Sequence, residues 1–229
     1  MPPTVWPPPE PTAPLAVLVS GGLDSAILLG EAVRVYPAVH PIYVHVGSIW
    51  EAVEFEYLTR FLHAIRGPSL RPLVELSQPV ADIYGMHWSL SGEGVPGAET
   101  PDEAVYLPGR NVLLLAKPLL WCHLHGVPEL ALAPLGSNPF PDATAEFFDS
   151  MAGVVNRAVG GRVRAIAPYA ELGLHKAEVL RRGAGMPLRD TFSCIRPLSG
   201  LPCGRCNKCA ERRTGFRDAG IEDPTVYSA

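Results

Sequence analysis

Leu15-Ala16-Val17-Leu18-Val19-Ser20-Gly21-Gly22-Leu23-Asp24-Ser25 carries an unbroken apolar run into a glycine turn, and a helical pattern over residues 26–35 follows at once. Five consecutive apolar residues ending at Ser20 predict a strand buried on both faces, the mark of a parallel sheet. Gly21 and Gly22 accept positive φ and let backbone N–H groups approach an anion with no Cβ in the way. The helix start adds its partial positive charge, so the turn is built to grip phosphate. Ser20 and Ser25 add hydroxyl donors, and Asp24 can hold Mg²⁺ or orient a donor. No Gly-Lys-Ser/Thr ending is present, which excludes the Walker phosphate loop. The plainer reading is an ordinary strand-to-helix turn.

Downstream, 42–46 reads as a second strand and 51–65 as a helix whose Glu51, Glu54 and Glu56 suit its N-terminal dipole. A third strand is expected over 70–76. Residues 77–107 lack a sustained period, and an unstructured connection of that length is expected to be a lid or binding loop. Pro108-Gly109-Arg110-Asn111 opens a helix reaching Leu124, with a kink or break near Pro118. Strands over 130–135 and 163–167 and helices over 143–159, 174–183 and 206–220 complete the pattern. Alternation of this kind predicts an α/β fold with a doubly wound, parallel, five-stranded sheet whose ligands bind at the carboxyl ends of the strands.

The 229 residues carry a net charge of −4, so no electrostatic case exists for nucleic acid as a partner. Apolar stretches such as 112–115 are too short for a membrane, and no secretion signal is expected. Seven prolines among the first fourteen residues forbid helix or sheet interior there. The expected organisation is a proline-rich irregular arm over 1–14, a nucleotide-binding α/β domain over 15–190 and a metal-binding region over 191–229.

Four of the five cysteines crowd the C-terminus. Cys194, Cys203, Cys206 and Cys209 have the spacing C-x8-C-x2-C-x2-C, which can wrap four thiolates around one ion. A filled tetrahedral zinc site would be structural, with an iron–sulfur cluster as the alternative and unligated thiols a third option. Arg205, Lys208, Arg212 and Arg213 lie near enough in sequence to offset the thiolate charge. Such a site implies a reducing cytoplasm. Cys122 reads as a core filler, and His45 at a strand end as a satisfied histidine rather than a catalytic one.

The glycine turn resembles the SGGxDS loop of the ATP pyrophosphatases, whose fold is adenine nucleotide alpha hydrolase-like and which cleave ATP between the α and β phosphates. Together with Pro108-Gly109-Arg110-Asn111, Gly136-Ser137-Asn138, Pro141-Asp142, Lys176-Ala177-Glu178 and the cysteine tail through Gly220-Ile221-Glu222-Asp223-Pro224-Thr225, it resembles the 7-cyano-7-deazaguanine synthases of the QueC family. The resemblance implies adenylation of the carboxylate of 7-carboxy-7-deazaguanine, amidation by ammonia and a second ATP-driven step that leaves a nitrile. It implies ATP, Mg²⁺ and a structural Zn²⁺ as cofactors. Ser20, Gly21, Gly22, Leu23, Asp24 and Ser25 would hold pyrophosphate and metal, with Asn111, Gly136 and Asp142 lining the nucleotide or substrate pocket. Asp24, Lys176 and Arg110 are the candidate catalytic residues. Bland rivals are a solvated helical lysine at 176, a helix-entry ion pair at Arg110 and mere turn-shaping by Asn138 and Asp142.

The chain departs from the family after its second strand, where Val46-Gly47-Ser48-Ile49-Trp50 replaces an aromatic-Gly-Gln-Arg-His stretch, and near Pro141-Asp142-Ala143, where a cysteine is usual. The alternative is therefore a QueC-like ligase that hands the activated acid to another amine, on a protein for instance, without making a nitrile. An ATP pyrophosphatase acting on tRNA and a noncatalytic zinc module are broader alternatives. Neither membrane nor nucleic acid is expected as a partner, and a homodimer is left open.

Overall fold

The computed structural model describes residues 5–228. The chain runs β1 (Leu15–Leu18), α1 (Leu23–Val35), β2 (Val39–His45), α2 (Glu51–Ala64), β3 (Val74–Ser77), α3 (Ala81–Tyr84), α4 (Trp88–Ser91), α5 (Arg110–Leu124), β4 (Glu129–Ala131), α6 (Ala145–Val159), β5 (Arg164–Ile166), α7 (Pro168–Glu171), α8 (Lys176–Arg182) and α9 (Asn207–Ala219). The five strands form one parallel sheet in the order β3-β2-β1-β4-β5. Strand order therefore reverses beside β1, and a crevice opens there at the carboxyl ends.

Alternation along β1 explains its unbroken apolar sequence. Leu15 and Val17 face a core shared with α1, α2, α8 and α9, through side chains such as Ile27, Phe61, Leu180 and Phe216. Ala16 and, less completely, Leu18 face the opposite core, where α5 and α6 contribute Leu115, Leu119, Phe148 and Val155. Both faces are dry, so no polar residue is tolerated at either parity. Helix α6 starts where Thr144 caps it by accepting from the Phe147 amide at 3.2 Å, and ends at Gly160 in the left-handed region.

Several expectations are corrected. The third strand begins at Val74 instead of Leu70, which makes only an isolated bridge to Val39. Strands β4 and β5 are three residues each, shorter than their apolar runs, because those runs continue into loops that stay at least partly buried. Helix α5 passes through Pro118 without a break; Leu115, Leu119 and Cys122 around it are fully buried, and their packing holds the turn. Residues 77–107 are not structureless: α3, α4 and a 3₁₀ turn at Asp102–Val105 shape them. The proline arm is irregular over 5–14, but its Trp6 is buried. The Trp6 indole donates to Glu31 at 3.0 Å, and Arg182 bonds both the Trp6 carbonyl and Glu31. Residues 1–4 of the arm lie outside the described residues. Among the described residues no helix is long and apolar enough to cross a membrane.

Candidate active site

A cleft of about 380 Å³ opens at the carboxyl ends of β1, β2 and β4, a size suited to a small-molecule site. The turn after β1 forms its floor. Gly21 alone is left-handed, at φ +74°, whereas Gly22 is extended at φ −73° and serves as the N-cap of α1. A Cβ at Gly21 would stand 3.0 Å from the Glu54 carbonyl oxygen and 3.3 Å from its Cγ, so the missing side chain admits α2 against the turn. Ser20 and Ser25 are joined at 3.2 Å, and the Ser25 hydroxyl reaches the Gly22 carbonyl. No side chain caps α1 at Gly22. The helix start is thus open to an anion.

Lys176 begins α8 and crosses to the same turn. Its ammonium donates to Asp24 Oδ2 at 2.6 Å and lies 2.8 Å from Glu211 Oε1, while Lys208 lies 2.5 Å from Glu211 Oε2. Burial opposes the lysine charge, yet the two carboxylates outweigh it and raise the Lys176 pKa. Burial alone would raise the Glu211 pKa, but the two lysines bring it down to about 2. Asp24 Oδ1 is buried with no hydrogen-bond partner among the described residues. The stem of Lys176 passes over Gly215 of α9, where a Cβ would meet Lys176 Cγ at 2.5 Å.

Arg110 lines the cleft from the start of α5, and its guanidinium makes no hydrogen bond or ion pair with any described residue. Asn111 is tied to Asp142: its amide donates to Asp142 Oδ2 at 3.1 Å and its side chain to the Asp142 carbonyl at 2.8 Å. Two aromatic pairs wall the cleft, Trp50 on Trp88 at 5.8 Å and Tyr106 on Phe140 at 5.0 Å between ring centres. The sequence-predicted residues Ser20, Gly22, Leu23, Asp24, Ser25, Arg110, Asn111, Asp142 and Lys176 all line this one cleft. Gly21 and Gly136 do not. Gly136 instead packs on Gly173, whose backbone carbons a Cβ would meet at 2.7 Å.

The cysteine cluster borders the same cleft, which Cys194 lines. Cys194, Cys203, Cys206 and Cys209 are buried, and their sulfurs lie within 4.8 Å of one another. Backbone amides of Cys203 and Arg196 donate to Cys194 Sγ at 3.2 and 3.3 Å. This cluster can hold a metal ion.

A family model described as "Queuosine biosynthesis protein QueC" matches residues 15–220. The chain belongs to the QueC family. Among its relatives, the 7-cyano-7-deazaguanine synthase of Thiobacillus denitrificans is 33% identical, over 93% of this chain and 97% of the relative. That of Anaeromyxobacter sp. (strain Fw109-5) is 34% identical, over 95% of this chain and 97% of the relative. Among solved structures, the U34-tRNA thiolase NcsA from Methanococcus maripaludis superposes with a TM-score of 0.47 at 15% identity, over 92% of this chain and 69% of that one. A 4-thiouridine synthetase in complex with RNA and bound ATP superposes with a TM-score of 0.44 at 13% identity, over 91% of this chain and 50% of that one.

The loop after β2 is held by side-chain and aromatic contacts. Glu51 Oε2 accepts from the Val46 and Gly47 amides at 2.6 and 2.7 Å, and Trp50 turns inward onto Trp88. His45 sits between Glu51 and Glu75, 3.2 and 3.0 Å away, outside the cleft lining. Burial pushes the Cys122 thiol up to about 12, as befits a core residue. Of the basic residues expected to offset the cysteines, Arg205 donates its backbone amide to Cys203 Sγ at 3.4 Å, whereas the side chains of Lys208, Arg212 and Arg213 have other partners, Lys208 pairing with Glu211. Arg212, 2% exposed, bonds Thr225, Thr191 and the Leu188 carbonyl, though it keeps an electrostatic interaction with Cys209. Arg213 donates to the Gly204 carbonyl.

Glu54 and Tyr43 are cleft residues that the sequence reading did not single out. The Tyr43 hydroxyl donates to Glu54 Oε1 at 2.8 Å. Burial moves the Glu54 pKa up to about 7, against the lowering effects of the Tyr43 bond and the Arg110 charge. The alternation within β2 places Tyr43 toward α2 and was the available signal.

Proposed function

We propose that this QueC-family chain is an ATP-dependent ligase that activates the carboxylate of 7-carboxy-7-deazaguanine and converts it through the amide to 7-cyano-7-deazaguanine. One observation carries the reading: the open α1 start, the Lys176–Asp24 pair and Arg110, whose guanidinium has no hydrogen bond or ion pair among the described residues, converge on one cleft walled by flat aromatic rings. A carboxylate is a poor electrophile, and making it a mixed anhydride with AMP supplies a leaving group. Its oxygen attacks the α-phosphorus and pyrophosphate departs, with the turn amides and Lys176 stabilising the charge that develops. Arg110 is free to pair with phosphate or with the acid. Trp50, Trp88, Tyr106 and Phe140 offer faces on which a planar heterocycle stacks.

Asp24 fits Mg²⁺, because its buried Oδ1 has no protein partner and a hard cation takes carboxylate oxygen. The ion would neutralise phosphate charge there. Zn²⁺ fits the cysteines: tetrahedral bonds of about 2.3 Å put sulfurs about 3.8 Å apart, and Cys194 and Cys206 stand 3.8 Å apart. A cluster of several irons would spread the four sulfurs further, since each thiolate binds a separate iron. Four thiolates leave no open position, so zinc would hold the fold. A thiolate-rich site of this kind supports a place in the reducing cytoplasm.

The test is mass spectrometry of products after incubation with ATP, Mg²⁺, ammonium and 7-carboxy-7-deazaguanine. The nitrile with two AMP per product supports the proposal. AMP and a hydroxylamine-trappable acyl group without amide or nitrile would assign the chain instead to a ligase for another amine, which the altered loop at Ser48-Ile49-Trp50 would then explain. No AMP from folded, metal-replete protein overturns both.

A further inference from the structure

Converting an activated acid to an amide and then to a nitrile sheds protons from nitrogen at every stage after adenylation, and among the described residues that line the cleft there is no histidine. Its carboxylates are Asp24, Glu54, Asp142 and Glu211. Asp24 is paired with Lys176, Glu211 with Lys176 and Lys208, and Asp142 accepts the Asn111 amide. Glu54 differs: among the described residues no lysine or arginine forms an ion pair with its carboxylate, which receives the Tyr43 hydroxyl and interacts with Trp50 and, at longer range, with Arg110. It also stands against the phosphate turn, since the Gly21 position leaves room only for its Cγ and carbonyl.

We propose that Glu54 is the catalytic proton acceptor for the reacting nitrogen. The inference rests on the carboxylate-activating reading above. In amidation, a bond forms from the ammonia nitrogen to the acyl carbon, the carbon–oxygen bond to AMP breaks with its electron pair, and a proton passes from nitrogen to Glu54. In dehydration, the amide oxygen displaces pyrophosphate from a second ATP as nitrogen loses a proton to Glu54. The remaining N–H proton then goes to the same group as the carbon–oxygen bond breaks, AMP leaves and the third carbon–nitrogen bond closes. Glu54 releases each proton to solvent between steps. The charged and titratable groups facing it are Tyr43 from β2, Arg110 from α5 and Glu51 from its own helix. Burial holds its pKa near 7, where a general base both accepts and returns a proton readily.

Acid-dependent ATP–pyrophosphate exchange reads adenylation, and amide plus nitrile formation reads the nitrogen steps. Glu54→Gln is expected to lose about a hundredfold or more in amide formation relative to exchange, and, at constant free ammonia, to lack the rise of that rate through pH 7 expected of the wild type. Hydroxylamine, neutral at pH 7, is expected to trap the acyl adenylate in the variant. Tyr43→Phe removes a bond that lowers the Glu54 pKa, so the rising limb moves to higher pH. Equal losses in exchange and amide formation, or an unchanged pH profile in both variants, overturn the inference. A wild-type enzyme without acid-dependent exchange overturns instead the reading on which it rests.

Discussion

Lys176→Met removes one ammonium while keeping the aliphatic stem that lies over Gly215. The lost contacts are those to Asp24 at 2.6 Å and Glu211 at 2.8 Å. Glu211 retains Lys208, but Asp24 is left with no partner on either oxygen. Breaking a buried pair from one side costs about 3–5 kcal/mol. Lys176 and Asp24 are 18% and 23% exposed, and water recovers part of the penalty, leaving about 2–3 kcal/mol. At about 2–4 °C per kcal/mol for a chain of this size, Tm should fall by about 4–12 °C. Acid-dependent ATP–pyrophosphate exchange should fall by about a hundredfold or more, equivalent to about 2.7 kcal/mol of transition-state stabilisation. Differential scanning calorimetry and exchange kinetics read the two effects. A Tm within 1 °C of wild type and an unchanged exchange rate would make Lys176 a solvated helical lysine and refute the phosphate role.

Glu211 has a folded-state pKa of about 2, below its ordinary 4.5. Its contribution is complete above the unfolded value and is lost as pH falls toward 2. Tm of the wild type should therefore drop between about pH 4.5 and 2, and Glu211→Gln should be less stable at pH 7 with a flatter acid limb. Gly215→Ala gains about 1 kcal/mol in helix propensity, but the new methyl meets Lys176 Cγ at 2.5 Å. Stability should change by less than about 1 kcal/mol while the KM for ATP rises, a split that titrating ATP would show. Cys206→Ala should lose metal by elemental analysis and fold poorly, whereas activity retained without metal would contradict a structural ion.

The strand-turn-helix start and the parallel architecture were readable because β1 is apolar at both parities and the glycine turn is local. So was the cysteine spacing, which alone sets one ion's worth of sulfurs together. Glu54 was not: three glutamates at a helix start satisfy the dipole equally well in sequence, and only the approach of Tyr43 and Gly21 separates Glu54 from its neighbours. The destination of Arg212 was hidden for the same reason, since Thr225 and Asp223 reach it by folding the tail back. Pro118 misled because its helix-breaking tendency is local and the buried flanks that override it are tertiary. Trp6 lay in a composition that reads as irregular, and its burial depends on Glu31 and Arg182 from distant helices.

The central claim is that the acid's own oxygen attacks the α-phosphorus of ATP in the cleft lined by Gly22 and Asp24. The most direct measurement uses 7-carboxy-7-deazaguanine labelled with oxygen-18 in its carboxylate and follows the label by mass spectrometry. The account predicts label in AMP and none in pyrophosphate, with no transfer in Asp24→Ala. Label in inorganic phosphate, or AMP formed without label, would contradict it.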